Sequence, residues 1–219
     1  MIKNIIFDFD GVLVDSEILV SKSIKKYLSK RNIDFEEDNF SKYVGNKTIN
    51  IVSNLSSKFN IKDEQAFFNE IMRMTKELYK TELKPIDGVI DFIKKTNYNK
   101  LIGSNNISER ILYGLKKTNL NLYFKAKDIF AFDLVGIPKP YPDIYLRAIK
   151  DNSIKKSETI IIEDSVAGVS AGVAAGVKVI GITAGSHWYN GRSDKELYDA
   201  GAYDVVNKYE DVLLTLEKL

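Results

Sequence analysis

The sequence predicts an α/β fold: a doubly wound parallel sheet carrying an inserted all-helical block. Three observations predict it. Short apolar runs alternate with helix-period segments over most of the chain, which implies right-handed βαβ units and a parallel sheet covered on both faces. A stretch with only helical periodicity interrupts that alternation after the first run. Several apolar runs also end in acidic or hydroxyl residues, as strands do when a site lies at their tips.

The first apolar run, Asn4–Phe9, is rich in β-favouring residues and ends at charged residues and Gly11, so it reads as a buried strand. From Ser16 to Leu83 the spacing becomes helical: Ile18, Leu19, Ile24 and Leu28; then Ile49, Val52, Leu55 and Phe59; then Phe67, Phe68, Ile71, Met74 and Leu78. Asn32, Gly45-Asn46 and Asn60 mark the turns, and Pro85 and Gly88 punctuate the exit. Strands are then expected at Lys100–Ser104, Asp128–Phe132, Thr159–Glu163, Val177–Thr183 and Tyr203–Val206. Helices are expected at Val89–Lys95, Glu109–Thr118, Pro142–Lys150 and Lys195–Ala200 and at the C-terminus. The expected organisation is a core of residues 1–15 and 84–219 with a helical domain at 16–83.

Composition narrows the chemistry. The chain has 219 residues, no cysteine and one histidine, which excludes thiolate nucleophiles, cysteine-ligated metals and multi-histidine sites. A serine–histidine–carboxylate triad would have to use His187, which stands alone in a Gly/Ser loop and reads as a residue at the surface or facing the helical block rather than a catalytic one. Lys+Arg number 32 against 30 Asp+Glu, too even a balance for a nucleic-acid-binding face. The apolar start runs into Asp8 and Asp10, so no signal-peptide core forms, and the apolar stretch from Ala171 to Gly185 contains Lys178 and is too short to span a bilayer. The expectation is a cytoplasmic monomer with no nucleic-acid or membrane partner.

Functional residues gather at the ends of expected strands: Asp8 and Asp10 at the first, Ser104-Asn105-Asn106 at the second, Glu163-Asp164-Ser165 at the strand starting at Thr159. Lys139 lies between two prolines in the loop before a helix. Singly these have plain readings, as an Asp-Gly turn, a helix cap or a solvated lysine. Gathered in one crevice, however, the acids repel one another and need a cation or a proton. Oxygen donors without histidine or cysteine favour Mg²⁺. Gly168, Gly172 and Gly176, four apart on the helix after Asp164, predict close packing of that helix on the sheet.

The run from Asp8 to Glu17 (DFDGVLVDSE), Ser104, Lys139 in Pro-Lys-Pro-x-Pro-Asp, and Glu163-Asp164-Ser165 resemble the four motifs of the haloacid dehalogenase-like superfamily. Their order and spacing are similar to its β-phosphoglucomutase and phosphoglycolate phosphatase branch, with a Rossmann-like core and a helical cap. The resemblance implies a Mg²⁺-dependent phosphotransferase with an aspartyl-phosphate intermediate. It assigns Asp8 as nucleophile and Asp10 as general acid and base, with Ser104, Asn105 and Lys139 at the phosphoryl group. Asp8, Asp164 and the backbone carbonyl of Asp10 would hold the metal, with Glu163 either a further ligand or a group supporting them from behind. Dehalogenases of the superfamily lack an acid at the position of Asp10, which places carbon–halogen cleavage low.

Lys47, in the turn Gly45-Asn46-Lys47-Thr48, is a candidate for a second anionic group of the substrate. Two departures from β-phosphoglucomutase separate hydrolysis from mutase chemistry. Val20 stands where that family has a histidine, and Lys47 and Thr48 stand where it has an arginine for the non-transferring phosphate. The expected function is therefore a phosphatase for a small phosphorylated metabolite, a sugar phosphate or sugar-acid phosphate. A phosphomutase is the alternative, and a receiver-type phospho-switch without turnover a more distant one.

Overall fold

Six apolar runs assemble into one sheet in the computed structural model, which describes residues 1–35, 43, 48–188 and 192–219. The strands are β1 (Asn4–Phe7), β2 (Asn99–Ser104), β3 (Ile129–Ala131), β4 (Thr159–Glu163), β5 (Lys178–Ile182) and β6 (Asp204–Val206). Their order is β3-β2-β1-β4-β5-β6 and every pairing is parallel. The central strands β1 and β4 are buried along their whole length, which is why they read as unbroken apolar runs rather than alternating ones.

The chain runs outward from β1 through β2 to β3, then returns to the other side of β1 and continues through β4, β5 and β6. The direction of winding therefore reverses between β1 and β4, and ligands bind such sheets beyond the strand ends at that crevice. Register does the rest. Phe7 pairs with Ile162, and the Asp8 amide donates to the Ile162 carbonyl at 2.9 Å. Asp8 and Glu163-Asp164 thus emerge side by side.

The helices among the described residues are α1 (Glu17–Ser29), α2 (Thr48–Phe59), α3 (Glu64–Glu82), α4 (Val89–Lys95), α5 (Ser108–Lys117), α6 (Phe132–Val135), α7 (Asp143–Asp151), α8 (Val166–Ala174), α9 (Lys195–Asp199) and α10 (Tyr209–Leu216). None is long and apolar enough to cross a membrane. The chain divides into two compact units, one of Met1–Asp15, Lys84–Gly185 and Ser193–Leu219, the other of Ser16–Leu83 and Ser186–Arg192.

In the second unit the helical spacing buries one apolar face per helix: Ile24 and Leu28 from α1, Val52 and Leu55 from α2, Phe67 and Ile71 from α3. Tyr27 stacks on Phe67 with centroids 4.2 Å apart. Asp63 caps α3 by accepting from the Ala66 amide at 2.8 Å. Asn32 and Asn60, expected at turns, have φ of 56° and 53°, a left-handed conformation asparagine tolerates. His187 is buried at 2% exposure rather than lying on the surface, beside Trp188, over which the Arg192 guanidinium sits at 3.5 Å.

Of the boundaries that differ from expectation, those of β1 and β3 do so for local reasons. β1 stops at Phe7, not Phe9, because the chain turns at Gly11, whose φ of 78° favours glycine and whose amide bonds the Val14 carbonyl at 2.8 Å. Phe9 stays fully buried after the strand ends, so the apolar run outlasts the pairing. β3 shortens to Ile129–Ala131 because Phe132 begins the one-turn helix α6, too brief for periodicity to register.

The glycine spacing on α8 is explained in part. A β-carbon on Gly172 would lie 2.5 Å from Val179 Cγ2 and 3.0 Å from Ile161 Cδ1, so this glycine seats α8 against β4 and β5. Gly176 does not pack on the sheet; it follows the helix end with φ of 74°. Gly172→Ala should lower unfolding free energy by about 1–3 kcal/mol through overpacking. Urea denaturation with an unchanged m-value would show it.

Candidate active site

Three buried carboxylates meet where the winding reverses. Asp8, Glu163 and Asp164 each place an oxygen within 4.8 Å of the others. The Lys139 ammonium lies between two of them, 2.5 Å from Asp8 Oδ1 and 2.6 Å from Glu163 Oε1. Lys139 arrives from the loop between α6 and α7, and Asn105 at the end of β2 fixes its main chain. The Lys139 amide donates to Asn105 Oδ1 at 2.7 Å, and Asn105 Nδ2 donates to the Lys139 carbonyl at 3.2 Å. Both ends of the Asn105 amide are thereby committed to the lysine backbone.

Glu163 is enclosed by donors. Its Oε1 accepts from Lys139 and from the Tyr145 hydroxyl at 3.0 Å. Its Oε2 accepts from the amides of Asp164 and Ser165 and from the Ser165 hydroxyl, all at 2.9–3.0 Å. Room for this carboxylate comes from Gly168, since a β-carbon there would fall inside it. Tyr145 in turn packs against Gly103 of β2, where a β-carbon would approach the ring to 3.0 Å. The Lys139 ammonium also lies 4.8 Å from the centre of the Tyr145 ring.

The electrostatics follow from this enclosure. Burial pushes the Asp8 carboxyl well above the usual carboxylate range; Lys139 opposes that, while Glu163, Asp164 and Asp10 add to it. Burial would discharge Lys139, but Asp8 and Glu163 outweigh it and hold the ammonium well above its ordinary range. Burial, then Glu163, raises the Tyr145 phenol well above its ordinary value, so its hydroxyl stays a donor at neutral pH. Three acids face one lysine, so the cluster suits a further positive charge.

Asp10 is half-buried beyond the end of β1, and its Oδ2 accepts from Asn106 Nδ2 at 2.9 Å. Ser104, 1% exposed at the tip of β2, accepts the Asn106 amide at 3.1 Å and keeps its own hydroxyl hydrogen to donate. The loop carrying Asp8 and Asp10 is tied to α10 by the Tyr209 hydroxyl, which donates to the Val12 carbonyl at 2.9 Å. Asp8, Lys139, Glu163 and Asp164 thus converge, with Asn105 on the lysine backbone and Asn106 linking Ser104 to Asp10. Lys47 lies outside the described residues. Sequence reasoning placed Asn106 at the strand end without a role and missed Tyr145 and Tyr209. The available signal was tyrosines at core positions, whose hydroxyls need partners.

This geometry coincides with a family match. The model of the haloacid dehalogenase-like hydrolases matches residues 5–182. The chain belongs to the haloacid dehalogenase-like hydrolase family. A crystal structure of a conserved haloacid dehalogenase-like protein from Agrobacterium tumefaciens str. C58 superposes with a TM-score of 0.90 at 30% identity, covering 100% of this chain and 99% of that one. The phosphorylated carbohydrates phosphatase of Thermotoga maritima is 28% identical over 98% of both chains. The 6-phosphogluconate phosphatase of Escherichia coli K12 is 27% identical over 85% of both.

Gly168→Ala tests the enclosure of Glu163. The added methyl must displace the carboxylate and with it the anchor of Lys139, so phosphatase activity should fall about tenfold or more, as a displacement of about 1 Å can do. A variant as active as the parent, assayed at a temperature where circular dichroism shows both folded, would refute that role for Gly168.

Proposed function

We propose that this phosphoric monoester hydrolase removes the phosphoryl group from a small phosphorylated metabolite, a sugar phosphate or sugar-acid phosphate, through an aspartyl-phosphate on Asp8. The observation that carries the reading is the buried Lys139 ammonium held between Asp8 and Glu163, a fixed positive charge at the atom that would attack phosphorus. The phosphatases of T. maritima and E. coli support the substrate class. The helical domain at 16–83 is the family's cap in this reading.

Asp8 attacks phosphorus, the phosphorus–oxygen ester bond breaks, and Asp10 gives its proton to the departing oxygen. Asp10 then takes a proton from water as that water attacks the aspartyl-phosphate, releasing inorganic phosphate and restoring Asp8. Ser104 donates its hydroxyl to a phosphoryl oxygen, and Lys139 sets its charge beside the transferring group. Glu163, with both oxygens engaged by protein donors, holds Lys139 rather than ligating metal. Asn105 serves the same lysine through its backbone.

The donor set fits a hard dication. Asp8, Asp164 and the main-chain carbonyl of Asp10 would hold Mg²⁺, since three carboxylates opposed by one ammonium leave negative charge uncompensated. Bound there, the ion supplies charge neutralisation for the phosphoryl oxygens.

The purified protein with p-nitrophenyl phosphate and Mg²⁺ should release phosphate over many turnovers and stop on chelation. A panel of sugar and sugar-acid phosphates then locates the substrate. Isomerisation of β-glucose 1-phosphate without phosphate release would replace the phosphatase with a mutase. A single stoichiometric phosphorylation would replace both with a switch. Asp8→Asn should abolish turnover and the aspartyl–beryllofluoride adduct, because an amide cannot attack; fluorine NMR reads the adduct, and its persistence in the variant would remove Asp8 from the nucleophile's place.

A further inference from the structure

Asn106 is a polar side chain at the strand ends that no role above absorbs, and both ends of its amide are held. Its backbone amide donates to Ser104 Oγ at 3.1 Å, and its carbonyl accepts from the Phe132 amide at 3.0 Å. Its Oδ1 accepts from the Ile107 amide at 2.9 Å. That last bond settles which end of the side chain faces Asp10. A main-chain N–H can only donate, so the oxygen must point to Ile107 and the NH₂ group to Asp10 Oδ2, 2.9 Å away. The reverse orientation would set the Asn106 oxygen against a carboxylate oxygen.

We propose that Asn106 is a positioning residue for Asp10, holding its carboxylate in the orientation from which it exchanges a proton with the leaving oxygen. The inference rests on the reading of Asp10 as general acid and base. The need for such a residue is physical. Asp10 follows the end of β1, in the turn that Gly11 makes, and its side chain is only half-buried, so packing alone does not fix its rotamer. Proton transfer in the transition state demands hydrogen-bond reach to the leaving atom. Asn106 supplies the restraint from a different strand, anchored at both ends of its backbone and at its own side-chain oxygen.

The test uses leaving groups. With Mg²⁺ present, kcat/KM is measured for phenyl phosphate, whose phenoxide needs a proton, and for p-nitrophenyl phosphate, whose anion departs without one. Asn106→Ala should lose about tenfold more on the first substrate than on the second. Asn106→Asp keeps the acceptor for Ile107 and replaces the donor to Asp10; it should show the same selective loss and serves if the alanine variant does not fold. Asp10→Asn is measured beside them. If Asp10→Asn is selective for phenyl phosphate and the Asn106 variants are not, Asn106 does not position the acid and the inference fails alone. If Asp10→Asn itself lowers both substrates equally, the acid assignment fails and the inference falls with it. Selective loss in both series supports both.

Discussion

The position of one buried ammonium governs the rest of the site. Lys139 is 6% exposed and sits within 2.6 Å of two carboxylates. A buried ion pair roughly breaks even against an apolar replacement, so stability does not account for it. Charge placement does. Removing that charge would leave Asp8 and Glu163 facing each other in a low dielectric. The surroundings serve the same end: Asn105 grips the lysine backbone, Glu163 anchors its tip, and Tyr145 donates to the same Glu163 oxygen as the lysine. Gly168 and Gly103 are small because Glu163 and Tyr145 occupy the space where their side chains would be.

Topology makes that placement possible. Lys139 and Asp8 are 131 positions apart in sequence. They meet because parallel strands deliver all their carboxyl ends to one edge, where Asn105 at the end of β2 holds the α6–α7 loop that carries Lys139. The register between Phe7 and Ile162 then brings Asp8 out beside Glu163-Asp164 without any adjustment of the loops. A slip of one residue in that pairing would turn Asp8 to the other face of the sheet.

Much of this was legible in the chain, and the reasons are specific. The strand at Thr159–Glu163 coincides with its expected bounds because a fully buried parallel strand is an unbroken apolar run ended by charge. The helices of the 16–83 block showed themselves by spacing, since each buries a single face. The tips were readable because Asp8, Asp10, Glu163 and Asp164 gain nothing as strand ends unless they gather. The division of labour among them was not readable. Whether Glu163 meets a metal or a lysine depends on donors that the turn after β4 supplies locally and on two, Lys139 and Tyr145, that only the fold brings to it. Asn106 could be placed at the strand end, but not its partner: that its amide faces Asp10 is set by the fold. His187 sits in a Gly/Ser loop that reads as exposed, yet tertiary contacts bury it.

That division of labour is set by environment rather than by residue type. Glu163 accepts from five protein donors and presents no oxygen without one, so as an anion it is quenched. Asp8 stands differently: burial and its acidic neighbours push its carboxyl up against the opposing pull of Lys139, and the lysine ammonium lies on its Oδ1. Groups with diverging environments take different chemical roles even when both are carboxylates. The same ammonium touches both, and the proposed reaction uses only Asp8. In the proposed chemistry, therefore, Glu163 can keep hold of Lys139 throughout the cycle, while Asp8 exchanges its share of that contact for a phosphoryl group and later regains it. An anchor that also reacted would let go of the charge at the moment the transition state needs it.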